Sequence, residues 1–152
     1  MPHNRLFRRA FLGLALLAPA LARYRPAEAR VNAEGGAAIR GFDPVAYHLE
    51  GRPRRGQAAF TQEWGGARWR FASAANRDLF AADPARYAPA YGGFCAYAVA
   101  RGYTAPIDPQ AWRIVDGRLY LNYDLGTRTL WERDIPGEIS RADGHWPRLA
   151  AQ

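Results

Sequence analysis

Lysine is absent from this 152-residue chain: all 21 basic residues are arginine. With 30 alanines beside them, the pattern is that of a GC-rich coding sequence rather than of selection for guanidinium chemistry. Cysteine is nearly absent as well. The single thiol, Cys95, excludes an internal disulfide, and the lack of any Cys-x-x-Cys pair excludes a closed thiolate zinc site. Long apolar runs are missing too; the one near residues 11–18 is about eight residues long, far short of the roughly 20 that span a bilayer. No Gly-x-Ser-x-Gly elbow, phosphate loop or dinucleotide fingerprint occurs, so serine hydrolysis and nucleotide chemistry have no local support. A Cys-His nucleophilic pair would lack a third, orienting group, and the balance leans away from an enzyme.

What is present is material for a core. The chain is 49% hydrophobic with 20 aromatic residues, which rules out disorder over most of its length and suits one compact domain. The formal charge of +7 is unevenly placed: residues 1–30 carry six Arg and one Glu, leaving only +2 on residues 31–152. No basic run longer than Arg54-Arg55 remains there, so a nucleic-acid partner is not expected.

Residues 1–30 read as a secretory leader, with a basic start, an apolar stretch and small-residue sites that allow cutting after Ala22 or Ala29. Arg8-Arg9-x-Phe11-Leu12 is similar to a twin-arginine signal, which addresses a protein for export already folded. The expected location is the periplasm or another exported compartment, with no stable transmembrane segment after processing and one domain over residues 31–152. Residues 23 to about 36 read as a flexible lead-in, with the domain proper starting near Ala38.

Two hairpins stand out. Ala67, Trp69 and Phe71 alternate with Arg68 and Arg70 after Gly65-Gly66, and Trp112–Val115 and Arg118–Leu121 flank Asp116-Gly117. Ser73 is placed to cap a helix from Ala74 to about Ala82, and Thr127 one through Trp131. Pro136-Gly137 is expected to interrupt the chain before a last helix, where Ile139, Ala142 and Trp146 share a face and Pro147 is the expected stop. The fold class is therefore α+β: a small antiparallel sheet of two hairpins with short helices packed against it. Asp43-Pro44, Asp83-Pro84 and Asp108-Pro109, each followed by an aromatic, read as one capping device used three times.

Chemistry concentrates around Tyr91-Gly92-Gly93-Phe94-Cys95-Ala96-Tyr97. In an exported protein the lone Cys95 is a buried structural thiol, an intermolecular linker, or a reactive or metal-binding one. This stretch, together with Ile39–Tyr47, Phe71–Phe80, Pro84–Pro89 and Leu119–Asn122, resembles the stand-alone exported members of the YHS domain family over about residues 38–149. The resemblance implies a small metal-associated module, with copper favoured. On that reading Cys95 supplies a soft ligand and His48 an imidazole, with Asp43, Tyr47, Tyr91 or Tyr97 completing the shell or lining a pocket. The alternative is a ligand-binding or protein-interaction domain with no metal, in which Cys95 is merely packed and aromatic side chains, Tyr47, Tyr87, Tyr91, Tyr97 and Trp112, line the pocket.

Overall fold

A computed structural model describes residues 30–152. The leader and its two cut sites, read over residues 1–29, lie outside them. Among the described residues no helix is long and apolar enough to cross a membrane. The chain runs through α1 (Pro44–Glu50), β1 (Gln57–Trp64), β2 (Ala67–Phe71), α2 (Ala74–Ala82), α3 (Pro84–Tyr87), α4 (Ala96–Val99), β3 (Asp108–Val115), β4 (Arg118–Asn122), α5 (Leu125–Trp131) and α6 (Ile135–Ala150). The architecture is α+β, with the hairpins forming two separate antiparallel pairs, β1-β2 and β3-β4. Asp116 and Gly117 both have positive φ, 50° and 76°, which lets a two-residue turn follow the twist of its strands.

The molecule is built as one motif used twice. A left-handed turn, a short helix, an eight-residue strand, a five-residue strand and a capped helix occur in that order in each half, 51 or 52 positions apart. Turn Ala38–Gly41 corresponds to turn Ala90–Gly93, and α1, β1, β2 and α2 to α4, β3, β4 and α5. The strand register breaks at the same place in both pairs, between Gln57 and Thr61 and between Asp108 and Trp112. Helices α2 and α5 have matching caps: Ser73 Oγ accepts from the Asn76 N–H, and Asp124 Oδ1 from the Thr127 N–H.

Two cores result. The first holds Ile39, Val45, Trp69, Phe71 and Phe80, the second Tyr91, Val99, Trp131, Ala142 and Leu149. Strand β4 is the wall between them, since its period of two sends Leu119 and Leu121 into the first core and Tyr120 into the second. Each large side chain so buried contributes about 2–3 kcal/mol.

Several local expectations need correction. Residues 30–36 do not form a loose lead-in: Asn32 is buried and ties the two left-handed turns together. Its N–H donates to the Gly92 carbonyl at 2.8 Å, its Nδ2 to the Gly93 carbonyl at 3.1 Å, and its own carbonyl accepts from Ile39 at 2.9 Å. Helix α5 is capped by Asp124, whose carboxylate reaches the Thr127 N–H, so Thr127 lies inside the helix and is not its cap. Pro136 does not interrupt the chain but sits in the first turn of α6, where no N–H is missed, and Asp134 caps that helix at Gly137. Pro147 does not stop α6, because Ala142 and Leu149 on either side of it are both held in the second core. Of the three Asp-Pro pairs, only Asp43 caps a helix. Asp83 makes no side-chain cap bond, and Asp108 opens β3 while accepting from the Gln110 N–H.

Candidate functional site

The duplication places Asp43 and Cys95 in equivalent positions, each one residue beyond a left-handed turn and a phenylalanine, Phe42 or Phe94. Asp43 is fully buried, and its carboxylate accepts four hydrogen bonds: Val45 N–H at 2.8 Å, Ala46 N–H at 3.2 Å, Ala72 N–H at 2.8 Å and Asn76 Nδ2 at 2.7 Å. It therefore caps α1 and clamps that helix to the end of β2 and the start of α2. Its oxygens are committed to the fold and are not free for a metal.

Cys95 takes the same position with sulfur. The counterparts of Val45, Ala46 and Ala72 are Tyr97, Ala98 and Tyr123, but Cys95 makes no side-chain cap bond to α4, and the Tyr97 N–H goes to Asn122 instead. Burial pushes the thiol above its ordinary range, opposed by the nearby backbone of Ala98, Tyr123 and Tyr97, and the residue is 1% exposed. The thiol donates to Asn122 Oδ1 at 3.7 Å, and that oxygen also accepts from the Tyr97 N–H at 3.1 Å. Asn122 is fully buried, and its Nδ2 has no partner among the described residues.

The halves differ at one decisive place. Where Asn76 closes onto Asp43, the second half has Thr127, whose shorter side chain makes no such bond to Cys95. Beside the sulfur lies a hollow of about 290 Å³ lined by Cys95, Tyr97, Ala98, Tyr103, Tyr123 and Thr127, with Ala105. Tyr103 and Tyr123 are exposed and form its rim, and buried Cys95 lies at its inner side. The Tyr97 ring is pinned by Arg101, whose guanidinium stacks 3.2 Å from the ring centroid while pairing with both oxygens of buried Glu138 at 2.9 and 3.1 Å.

The remaining candidates are placed elsewhere. Tyr47 is buried in the first core, donates through its hydroxyl to the Pro109 carbonyl at 2.8 Å and packs edge-on against Trp112. Tyr91, at φ 56°, is buried in the second core and donates to Asp143 at 3.0 Å. Burial pushes both phenols well above their ordinary range, so neither is an available oxyanion ligand. His48 packs edge-on against Tyr87, with ring centroids 5.5 Å apart. Burial holds its imidazole below the usual range, against a hydrogen bond to the Tyr87 backbone and with the Arg86 charge adding to the effect.

Among the described residues no group of three or more His, Cys, Asp or Glu side chains is gathered in one place. The recorded polar partner of the Cys95 sulfur is the Asn122 amide oxygen, and the residues of the hollow beside it add no second thiolate or imidazole, so they do not make a copper or zinc donor set. Of the aromatic residues expected around a pocket, Tyr97 alone lines the hollow. Tyr103, Tyr123 and Thr127 were not apparent in the sequence because they come from a loop and from the β4-α5 junction; the signal that would have found them is the alignment of Gly41-Phe42-Asp43 with Gly93-Phe94-Cys95. Comparison of the chain with protein-family models, with curated proteins and with solved structures returns no match.

Proposed function

We propose that the chain is an exported, YHS-type binding module that takes a small organic ligand in the tyrosine-rimmed hollow beside Cys95. The observation that carries this reading is the departure from internal symmetry: the first half spends Asn76 on closing its buried acceptor, and the second leaves a hollow at the corresponding point. Its volume is at the lower end of the roughly 300–1,000 Å³ typical of ligand sites, which suits a compound of one ring. Tyrosine walls offer apolar faces with hydroxyls at their edges, which suits a ring carrying a polar substituent. Cys95 then serves as the inner wall of the site. Export through a twin-arginine signal agrees with a module that folds before it crosses the membrane.

The test is mass spectrometry and metal analysis of protein purified after native export under copper-replete conditions. The expected result is a small organic compound at one per chain, lost in Thr127→Leu, which fills the hollow. Stoichiometric copper that disappears in Cys95→Ser would reverse the order and restore the metal reading.

A further inference from the structure

A second concavity, with a volume of about 750 Å³, is lined by Arg40, Arg55 and Arg70 together with Glu34, Asp108 and Tyr123. The arginines come from three segments: the turn Ala38–Gly41, the loop ahead of β1, and β2. Their convergence depends on two glycines. A Cβ at Gly56 would lie 2.5 Å from the Arg70 carbonyl carbon, so only glycine lets the Arg55 segment lie against β2, and Gly41, at φ 78°, stands where a Cβ would come 3.5 Å from Arg70 Cδ. Arg55 is further held with its guanidinium 4.9 Å from the centre of the Phe42 ring.

These three charges form no ion pair among the described residues, and Arg40 Nη1 reaches the Ile107 carbonyl at 3.5 Å. Nine of the 15 arginines in residues 31–152 lie within 4.0 Å of a carboxylate. Arg40, Arg55 and Arg70 are not among them, although Glu34 and Asp108 share their cleft. Glu34 is on the exposed rim, and the Asp108 carboxylate is engaged by the Gln110 N–H at 2.9 Å. Arg70 Nε is shielded from solvent and has no partner among the described residues.

The fold does not demand arginine at these places, because its second half builds the same elements without it. Gly92 stands where Arg40 does, Pro106 where Arg55 does and Leu121 where Arg70 does. Arg40 even adopts φ 59°, directly after Ile39 at 44°, a conformation with a steric cost that Gly92 avoids at φ 60°. A charged side chain held in that conformation, in a cleft with two others and with no carboxylate within 4.0 Å of any of the three among the described residues, points to a ligand that supplies the negative charge.

We propose that this cleft binds the oxyanion head of a small molecule, a carboxylate or a phosphate, through the fork-shaped donors of Arg40, Arg55 and Arg70. The inference goes beyond the hollow beside Cys95 and does not depend on it, although Tyr123 borders both.

The test is calorimetric titration of the exported protein at low ionic strength with citrate and, separately, inorganic phosphate. The expected result is one saturable site for at least one of the two, the stronger of them naming the head group. Arg40→Gln and Arg55→Gln, both at exposed positions, should each weaken it at least tenfold, and Arg70→Leu, which copies the second half, should abolish it. Arg86→Gln and Arg133→Gln remove equally unpaired charges outside the cleft and should leave it unchanged. No saturable binding by either anion, or an equal loss in Arg86→Gln, overturns the proposal. Thr127→Leu should not alter the anion titration, so failure of the organic-ligand reading and failure of this one are separately visible.

Discussion

Cys95 occupies in the second half of the protein the place that Asp43 occupies in the first, but where the Asp43 carboxylate receives backbone N–H groups from its own short helix and from the end of the neighbouring strand, the Cys95 thiol donates to Asn122 Oδ1. The two are not energetically alike. The Asp43 carboxylate satisfies four buried donors, and Asp43→Ala would strand all of them, at a cost of about 3–5 kcal/mol. Cys95→Ala removes a weak thiol donor and a small buried volume, and should cost about 1–2 kcal/mol. Denaturant titrations of the two variants with unchanged m-values would measure the difference; equal losses would contradict the proposed roles.

The state of the thiol follows from the same geometry. With burial raising its pKa and 1% of the residue exposed, Cys95 should react with iodoacetamide at neutral pH far more slowly in the native protein than after denaturation. Opening access without unfolding is a sharper test: Tyr123→Ala trims an exposed rim residue and should speed native labelling while leaving the denatured rate unchanged. Rapid labelling of the unaltered native protein would show that the hollow reaches the sulfur more openly than its burial implies.

His48 links stability to pH. Its folded imidazole gives up its proton more readily than an unfolded one, chiefly because of burial, so protonation favours the unfolded chain. The contribution is fully present above the unfolded pKa of about 6.5 and is lost as pH falls through that value toward the lower folded one. His48→Phe keeps an aromatic ring against Tyr87 and cannot titrate. Its melting temperature should fall less steeply than that of the unaltered protein between about pH 7 and pH 5, and parallel curves would rule out His48 as the source.

Gly93 shows how closely the halves are pressed together. It lies at φ 80°, and a Cβ there would sit 2.5 Å from Ile39 Cγ2, turn against turn. Gly93→Ala should cost about 2–4 kcal/mol, read as a lowered melting temperature. Gly117→Ala, at φ 76° but with nothing within 4 Å, isolates the backbone contribution and should cost clearly less.

Local chemistry was legible in the sequence and long-range chemistry was not. The turns at Gly65-Gly66 and Asp116-Gly117, the Ser73 cap and the Ile139-Ala142-Trp146 face each depend on neighbours a few residues away, and they are found as expected. The extent of α6 past Pro147 depends on Leu149 reaching the second core, which no local rule states. The duplication is not legible in the sequence because the fold keeps positions more than residues: Gly41 and Phe42 recur as Gly93 and Phe94, while Asp43 becomes Cys95 and Asn76 becomes Thr127. For the same reason Cys95 and Tyr97 could be picked out as candidates, whereas Tyr103, Tyr123 and the three cleft arginines could not. Their significance comes from segments tens of residues apart meeting at one face, and in an arginine-only composition an unpaired arginine looks like every other.

The bond between the two ends of the described chain, Arg30 N–H to the Ala150 carbonyl at 3.4 Å, has a mechanical consequence. Because the ends are adjacent, tension applied to them is not spread across the strands in parallel. It falls first on that single bond, then on the Asn32 bonds to Gly92 and Gly93 on one side and the last turn of α6 on the other. The domain should therefore open by peeling from its ends, at low force and in small steps, while its two hairpins stay intact until late. Machinery that pulls at Arg30 or at the last turn of α6 would find this fold compliant.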